Sequence, residues 1–351
     1  MKPKYLVAIS DTHGNNEMLA RVAASLRHLL ERYQKPLEDC AILYLGDALP
    51  VEKIPEEDVE KHYREFAKAL AAAELPVIGT GGNYDIEDAV RAVFKEKGWT
   101  FLHGETAEWN GLKFAGYGGS RIPGAGKAAE ELGLPEEKFV HFDDEDLVGK
   151  LADKEIDVFI HHTMPYRFMD KIGYAQVMTP EGPGIMPIHI GGAGINKVLA
   201  ETTPVLSICG HIHQSTGSHA EDRTLMIKCK GFSSDNDFPV YYVEIAYDQD
   251  GKPFVKSNVD IGFAAPEARA LMQPLVTCRE EYECNSKEMV HHYRVFKQEI
   301  KGSPVIIRAI KTEEGFKPIS QKPALAGSDD ISWAFAADDE EKPGRAGIIL
   351  L

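Results

Sequence analysis

A carboxylate and an imidazole stand two residues apart near the start of the chain, at Asp11 and His13. They directly follow an apolar run at residues 5–9, which has the composition of a buried strand. Open α/β sheets keep their ligands at the carboxyl ends of their strands, so this pair could bind a metal ion. At this point an alternative stays open, because Asp11 or Asn15 could also cap the helix that follows.

The same arrangement, a short apolar run followed by polar side chains, recurs along the chain. The polar groups at the ends of the later runs are Asp47, Asn83 with Tyr84 and Asp85, His161 with His162, and His211 with His213. Each alone has an ordinary explanation as a cap, a turn residue or a hydrogen-bonded core histidine. Together at one sheet edge, they would be a costly cluster of unpaired groups unless cations satisfied them. Nitrogen and oxygen donors without thiolates suit manganese, iron, zinc or cobalt at two adjacent sites.

Helical and strand-like segments alternate between these polar groups. Apolar periodicity and length predict helices over residues 15–33, 55–73, 86–97 and 195–201, and strands over 41–45, 75–78, 157–160 and 204–208. Such alternation is typical of parallel strands covered by helices. The segments at 99–117 and 223–259 instead have antiparallel character, with a hairpin turn at Asn110-Gly111. The sequence therefore predicts the α/β class with mixed sheets.

Two segments have a different character. Residues 173–194 are rich in glycine and proline, and we predict a long loop that acts as a lid on the substrate side. After residue 263 the pattern changes, so we divide the chain into a domain at 1–263 and a C-terminal extension at 264–351. The extension is predicted to be helical over 266–300 and strand-like over 304–310, and to pack on the core or dock a partner.

Composition limits the partners and the compartment. The 351 residues carry a net charge of −16, which disfavours extended nucleic acid because such binding depends on basic patches. A small phosphorylated substrate is still compatible with this charge. The five cysteines have no repeated spacing, so we expect free thiols. The sequence contains neither a membrane-spanning run nor a signal peptide, and we therefore expect a cytoplasmic protein without a membrane partner. Homo-oligomerisation stays open.

Taken in order, the polar groups resemble the motif series of the calcineurin-like metallophosphoesterases. That series is Asp-x-His, Gly-Asp, Gly-Asn-(His or Cys)-(Asp or Glu), His and Gly-His-x-His. The matching residues are Asp11-Thr12-His13, Gly46-Asp47, Gly82-Asn83-Tyr84-Asp85, His162 and Gly210-His211-Ile212-His213. The segments 116–120, 162–166 and 209–213 look most like the small prokaryotic branch of predicted phosphoesterases. An ordered series is more specific than any single motif.

The resemblance implies a four-layer α/β/β/α sandwich of two mixed sheets, the metallo-dependent phosphatase fold, followed by the C-terminal extension. It also implies two divalent cations, with manganese expected and iron, zinc, cobalt or nickel as alternatives. The implied ligands are Asp11, His13 and His213 for the first cation, Asn83, His162 and His211 for the second, and Asp47 as the bridge. His161 competes with His162, but the spacing to Pro165 matches the family better from His162. Two adjacent cations lower the pKa of a shared water, which supplies a hydroxide for attack on phosphorus.

Tyr84 departs from the family pattern, because many members have a proton-donating histidine at this position. We assign catalytic roles to Asp47, Asn83, Tyr84 and Asp85. A tyrosine with a pKa of about 10 is a poor acid at neutral pH. Tyr84 is therefore either a proton donor whose site shifts its pKa, or a pocket wall or substrate-stacking ring. Good leaving groups would suffer least, and we therefore expect hydrolysis of phosphodiesters of small or nucleotide-type substrates. The alternatives are a phosphomonoesterase acting on a small metabolite, a nuclease and a non-catalytic metal-binding scaffold.

Overall fold

The computed structural model describes residues 1–179, 182–213, 217–231 and 238–263, together with short strands farther along the chain. The helices are α1 (Asn16–Arg32), α2 (Val59–Leu70), α3 (Glu87–Lys97), α4 (Ala125–Leu132), α5 (Asp144–Leu151) and α6 (Ala193–Thr202). The strands up to residue 263 are β1 (Lys4–Ile9), β2 (Cys40–Tyr44), β3 (Val77–Gly79), β4 (Thr100–Phe101), β5 (Glu105–Trp109), β6 (Leu112–Tyr117), β7 (Val158–His161), β8 (Lys171–Thr179), β9 (Gly182–His189), β10 (Leu206–Cys209), β11 (Gly217–Glu221), β12 (Thr224–Lys228), β13 (Phe238–Tyr247) and β14 (Pro253–Phe263). The later strands are β15 (Glu283–Cys284), β16 (Met289–Val290), β17 (Arg294–Ile300), β18 (Ser303–Ala309) and β19 (Lys322–Pro323).

Two six-stranded sheets form the centre of the fold. The first has the order β14-β13-β1-β2-β3-β4, and the second has the order β11-β12-β10-β7-β6-β5. In the first sheet β1 to β4 run parallel, while β13 and β14 add an antiparallel edge. In the second sheet β6, β7, β10 and β12 run parallel between antiparallel edge strands β5 and β11. Both sheets are therefore mixed, as predicted.

Alternating side chains of the strands bury two faces of each sheet. In β1, Val7 belongs to a buried apolar cluster that includes residues of helices α1, α2 and α3, whereas its neighbour Leu6 belongs to a cluster that includes Ile160 and Ile208 of the second sheet. On the far side of the second sheet, Phe159 packs against residues of α5 and α6. The order of layers is thus helices, first sheet, second sheet and helices, with an apolar layer between each neighbouring pair. The predicted four-layer α/β/β/α sandwich is confirmed.

Residues 171–189 form a β-hairpin, so the prediction of an irregular loop over 173–194 was wrong. β8 and β9 pair antiparallel from Lys171 with His189 to Thr179 with Gly182. The glycines and prolines suggested a loop, but each strand of an isolated hairpin has an unpaired edge that tolerates proline. The lid role of this segment stays a prediction.

The C-terminal extension also differs from expectation where the structure describes it. β17 pairs antiparallel with β18, so the predicted helix over 266–300 is wrong at Arg294–Ile300 and in the short strands β15 and β16. The strand predicted at 304–310 corresponds to β18. Pairing partners decide such segments, and a local periodicity does not contain them. The rest of 266–300 lies outside the described residues, and the division of the chain at residue 263 stays a prediction.

Two further expectations concern thiols and membranes. Cys40, Cys209 and Cys229 are buried and take part in no disulfide bond within the described residues, as expected. The side chains of Cys278 and Cys284 lie outside the described part. Within the described residues, every helix is too short or too polar to cross a membrane.

Candidate metal centre

The predicted polar groups lie in loops that leave the carboxyl ends of β1, β2, β3, β7 and β10. Backbone hydrogen bonds extend the parallel β1–β2 ladder into two of these loops: the amide of Asp11 donates to the carbonyl of Gly46 at 2.9 Å, and that of His13 to Asp47 at 3.0 Å. The amide of Gly210 donates to the carbonyl of His162 at 3.1 Å and joins two loops of the second sheet. Both sheets therefore deliver side chains to one edge.

The first set of candidate ligands consists of Asp11, His13 and His213. One ligand atom from each lies within 4.8 Å of the others. Nε2 of His213 is 3.2 Å from Oδ1 of Asp11 and 3.1 Å from Nε2 of His13. Two ring nitrogens at this separation cannot both carry a hydrogen, so at least one lone pair points into the space between them. This donor set fits a divalent cation.

The second set consists of Asp47, Asn83, His162 and His211. Ligand atoms of Asp47, His162 and His211 lie within 4.8 Å of one another, and Oδ1 of Asn83 is 3.1 Å from Nε2 of His162. Oδ2 of Asp47 is 3.2 Å from Nε2 of His162 and 3.7 Å from Nε2 of His13. Asp47 therefore lies between the two sets, where a bridging ligand has to be.

Backbone carbonyls determine the protonated nitrogen of three of these histidines. The contacts are His13 Nδ1 to Leu49 O at 3.2 Å, His162 Nδ1 to Leu45 O at 2.7 Å, and His211 Nε2 to Ile122 O at 3.1 Å. A carbonyl only accepts hydrogen bonds, so each of these nitrogens carries a proton. The opposite nitrogen of each ring is then the one available to a cation.

Buried charge makes the centre dependent on positive partners. Burial would raise the pKa of Asp11, but the hydrogen bond from His213 and the nearby histidines hold that pKa well below its usual range. Burial would likewise raise the pKa of Asp47, but His162 lowers it. For His162, burial lowers the pKa, but the Asp47 carboxylate outweighs this effect and raises the pKa to about 9. In the metal-free chain, protons on histidine thus compensate the carboxylates.

Metal uptake is expected to release at least one proton, because His162 must lose its Nε2 proton to become a ligand. Since the pKa of His162 is raised to about 9, the apparent affinity should increase with pH below that value and level off above it. For one proton the increase is about tenfold per pH unit. Calorimetric titration of manganese in buffers with different ionisation enthalpies measures the released protons. A constant affinity between pH 7 and pH 9 would contradict the expectation.

Four candidate ligands have left-handed backbone conformations. The φ angles are 52° at Asp11, 43° at His13, 64° at Asp47 and 75° at His211. Residues other than glycine rarely adopt this region, and they persist there only when the surrounding structure holds them. The hydrogen bonds between the loops and the contacts of the ligand side chains, described above, stabilise these conformations.

Glycines allow the loops to approach each other closely. A Cβ at Gly82 would lie 1.9 Å from Oδ1 of Asp47, and one at Gly210 would lie 1.8 Å from Oγ of Ser10. Both contacts are far inside van der Waals distance. These two motif glycines are therefore required by the packing of the loops.

Asp85 lies beneath the loops, outside both ligand sets. Its Oδ2 accepts from the amides of Asp47 at 2.7 Å and Gly82 at 2.8 Å, and its Oδ1 accepts from the amide of Ala48 and the hydroxyl of Tyr63, each at 3.0 Å. Burial and the Asp47 carboxylate raise the pKa of Asp85 to about 6. These contacts are those of a group that positions the loops, and the catalytic role that we expected for Asp85 stays a prediction.

Tyr84 lies beside the first set with its hydroxyl turned to a helix. Its amide donates to Oδ1 of Asp47 at 2.8 Å, and its ring meets that of His13 edge to face, with centroids 5.3 Å apart. The hydroxyl donates to the Glu131 carboxylate. Burial and this carboxylate raise the pKa of Tyr84 well above its usual value. Of the two roles predicted for Tyr84, these contacts favour the pocket wall.

The structure also decides two alternatives. His161 is buried outside both sets, with Nδ1 2.6 Å from the carbonyl of Thr163 and Nε2 2.8 Å from Oγ of Ser207. His162 is thus the histidine that faces the centre. Asn15 is the cap residue of α1 but makes no capping hydrogen bond with its side chain, and Asp11 is engaged with His213 instead. The capping interpretation of these residues is wrong.

Several residues at the centre were not predicted. The hydroxyl of Ser10 donates to Oδ2 of Asp11, and Oγ of Ser120 is 2.8 Å from Nε2 of His211. Tyr63 donates a hydrogen bond to Asp85, and Glu131 accepts one from Tyr84, as described above. Among these residues, Ser120 had a sequence signal, because it follows Gly118-Gly119 and ends the segment 116–120 that resembles the family.

The chain matches one family of known proteins over more than half of its length. The family profile described as calcineurin-like phosphoesterase matches residues 5–215. No protein with a curated description matches the chain.

Solved structures with a similar chain course include the protein TT1561 of Thermus thermophilus, with a TM-score of 0.46 and 17% identity over 72% of this chain and 98% of that chain. A dimetal phosphatase from Danio rerio has a TM-score of 0.42 and 12% identity over 74% of this chain and 98% of that one. Because the matched profile covers more than half of the sequence, the chain belongs to the calcineurin-like phosphoesterase family and is a metal-dependent phosphoester hydrolase.

Proposed function

We propose that the protein hydrolyses phosphodiesters of small or nucleotide-type substrates with two divalent cations, of which manganese is the expected metal. The position of Asp47 carries the proposal. Its Oδ2 lies 3.2 Å from His162 and 3.7 Å from His13, so one carboxylate can serve both sets. A non-catalytic scaffold is less consistent with the site, because every ligand of the motif series is present and the sets adjoin.

Two cations in such a site activate water and neutralise phosphoryl oxygens. The residues of the chain orient the groups around them. Carbonyl contacts fix the tautomers of His13, His162 and His211, and Asp85 holds the loops that carry Asp47 and Asn83. The buried Nδ2 of Asn83 has no hydrogen-bond partner among the described residues, which suits an amide that donates to a substrate oxygen.

The preference for good leaving groups follows from Tyr84. Its hydroxyl proton is held by Glu131, and its pKa is raised, so it is poorly suited to protonate a departing oxygen. Substrates whose leaving group needs no proton should therefore react fastest. Aryl esters meet this condition better than simple alkyl esters.

The proposal is tested by a substrate and metal screen. Purified protein is incubated with phosphomonoesters, linear diesters and cyclic nucleotides in the presence of manganese, zinc, iron or magnesium, and released product is measured. Fastest turnover of diesters supports the proposal, whereas faster turnover of monoesters would replace it with a phosphomonoesterase. Metal binding without turnover of any substrate would favour the scaffold.

Tyr84→Phe is expected to leave the ratio of aryl to alkyl diester rates unchanged at saturating metal. The reason is that the hydroxyl faces Glu131 and contributes no proton to the leaving oxygen. General acids typically contribute about 10²–10⁴-fold, so a donating Tyr84 would reveal itself by a selective loss of that size on the alkyl ester. Steady-state rates on the two esters measure the ratio, and circular dichroism checks the fold. Such a selective loss would reinstate Tyr84 as the acid.

The remaining expectations on partners are proposals as well. A small phosphorylated substrate is the expected partner, while the net charge of −16 disfavours extended nucleic acid. Cytoplasmic location also stays a prediction.

A further inference from the structure

Glu131 of α4 contacts the metal centre indirectly, although nothing in the motif series includes it. Its Oε2 accepts the hydrogen bond from the Tyr84 hydroxyl, across 47 residues of sequence. Its Oε1 is 3.0 Å from Nζ of Lys127, one turn earlier on the same helix. The carboxylate is thus held between a lysine and a tyrosine.

The helix that carries Glu131 is firmly seated. Ala128 and Leu132 of α4 are buried in the same apolar cluster as the Tyr84 ring. Glu131 therefore lies on a helix that is packed against the core and not on a loop. Its side chain is about one third exposed, at 32%, so its bond to Tyr84 lies at the rim of the centre.

The Tyr84 ring in turn packs against the ring of His13. The two rings meet at 90° with centroids 5.3 Å apart, and His13 is held on its other side by the contact of Nδ1 with the carbonyl of Leu49 at 3.2 Å. The hydrogen bond limits rotation of the imidazole, and the tyrosine ring limits its tilt. The strained φ of 43° at His13 makes such outside support important.

We propose that Glu131 is a positioning residue of the metal centre: through the Tyr84 hydroxyl it fixes the ring of His13 and sets the affinity of the first ligand set for its cation. This inference rests on the proposed function, which requires the cations. The side-chain contact reaches the first set only. Tyr84 contacts Asp47 through its backbone amide, which side-chain truncation leaves in place.

Glu131→Ala is expected to lower the affinity for the first cation by about 10–100-fold, the usual effect of removing a group that orients a metal-ligating histidine. The affinity for the second cation should be unchanged. Glu131→Gln retains an oxygen that accepts from Tyr84, so it should restore most of the affinity. Tyr84→Phe should lower the affinity for the first cation as much as Glu131→Ala does. The double variant should show no further loss of affinity, because both substitutions remove the same hydrogen bond between Tyr84 and Glu131.

Glu130→Ala is the matched control. Glu130 lies on the same helix and its Oε2 is 3.6 Å from Nζ of the same Lys127, but it is not the hydrogen-bond partner of Tyr84. This variant should bind both cations with unchanged affinity. His13→Ala and His211→Ala serve as references that identify the first and the second binding step.

Calorimetric titration of manganese into the metal-free full chain, supported by competition with a chromophoric chelator, reads out both steps independently of turnover. Selective weakening of the first step in Glu131→Ala, with rescue by Glu131→Gln, supports the proposal. Unchanged affinities, equal weakening of both steps, or the same loss in Glu130→Ala would overturn it. A wild-type chain that binds no pair of cations would overturn the proposed function itself, and this inference with it.

Discussion

Asp47→Asn is expected to reduce metal-dependent hydrolysis of a chromogenic phosphodiester by about 10³-fold or more. Oδ1 of Asp47 accepts from the Tyr84 amide, while Oδ2 faces Nε2 of both His162 and His13. An asparagine that keeps the first contact would turn its NH₂ group toward the histidines, and it could not bridge two cations. Loss of several kcal/mol of charge stabilisation corresponds to a rate effect of this size.

The control for this variant is Asp39→Asn. Asp39 is also a buried carboxylate, but its partner is Lys4 at 2.6 Å, at the opposite end of β1 and β2 from the centre. Its removal should lower stability and leave the rate constant intact. Circular dichroism and metal titration accompany the rate measurement on both variants. If Asp47→Asn retained more than about a tenth of the wild-type rate, the bridging role would be wrong.

His162→Ala should cause a loss of similar size, together with loss of one bound cation. Nε2 of His162 is 3.2 Å from Oδ2 of Asp47 and 3.1 Å from Oδ1 of Asn83, so its removal opens the second set. In the metal-free chain it also removes the protonated ring that compensates Asp47. Activity on the diester and the metal content of the purified protein are the two measurements. The expected rate loss is on the order of 10²–10³-fold.

The adjacent histidine provides a close control for this second variant. His161 is buried like His162, but its nitrogens contact Thr163 and Ser207 instead of the ligand sets. His161→Gln should lower the melting temperature, since burial of an amide with fewer matched contacts is costly, and should keep both cations. Activity that depended on His161 and survived in His162→Ala would invert the assignment of the second set.

The candidate ligands could be predicted from the sequence because their placement is a local property. A short apolar run that ends in Asp11, Asp47 or His162 signals a buried strand and a polar loop at its carboxyl end. Parallel strands bring those ends to one edge, so the order of the motifs already implied that the groups meet. The helices that cover the sheets were predictable for the same reason, since apolar residues at helical spacing indicate one buried face.

Local pattern was misleading where pairing or packing decides the structure. The hairpin of β8 and β9 contains glycine and proline that suggested a loop, and β17 was expected to be helical. In both cases hydrogen bonds to a partner strand stabilise the strand. The apolar pattern of a short stretch of sequence does not contain that pairing.

The residues around the ligands depended on tertiary contacts from the start. His13 meets His213 across 200 residues, Asp85 holds the loop of Asp47 across 38, and Tyr84 meets Glu131 across 47. The candidate ligands are polar residue types that follow apolar runs of the sequence, and the resemblance of their order to the family motif series assigns them to two cations. The tautomers, the bridging position of Asp47 and the support of His13 by Glu131 depend on distances between segments, and only the folded arrangement of both sheets and α4 sets those distances.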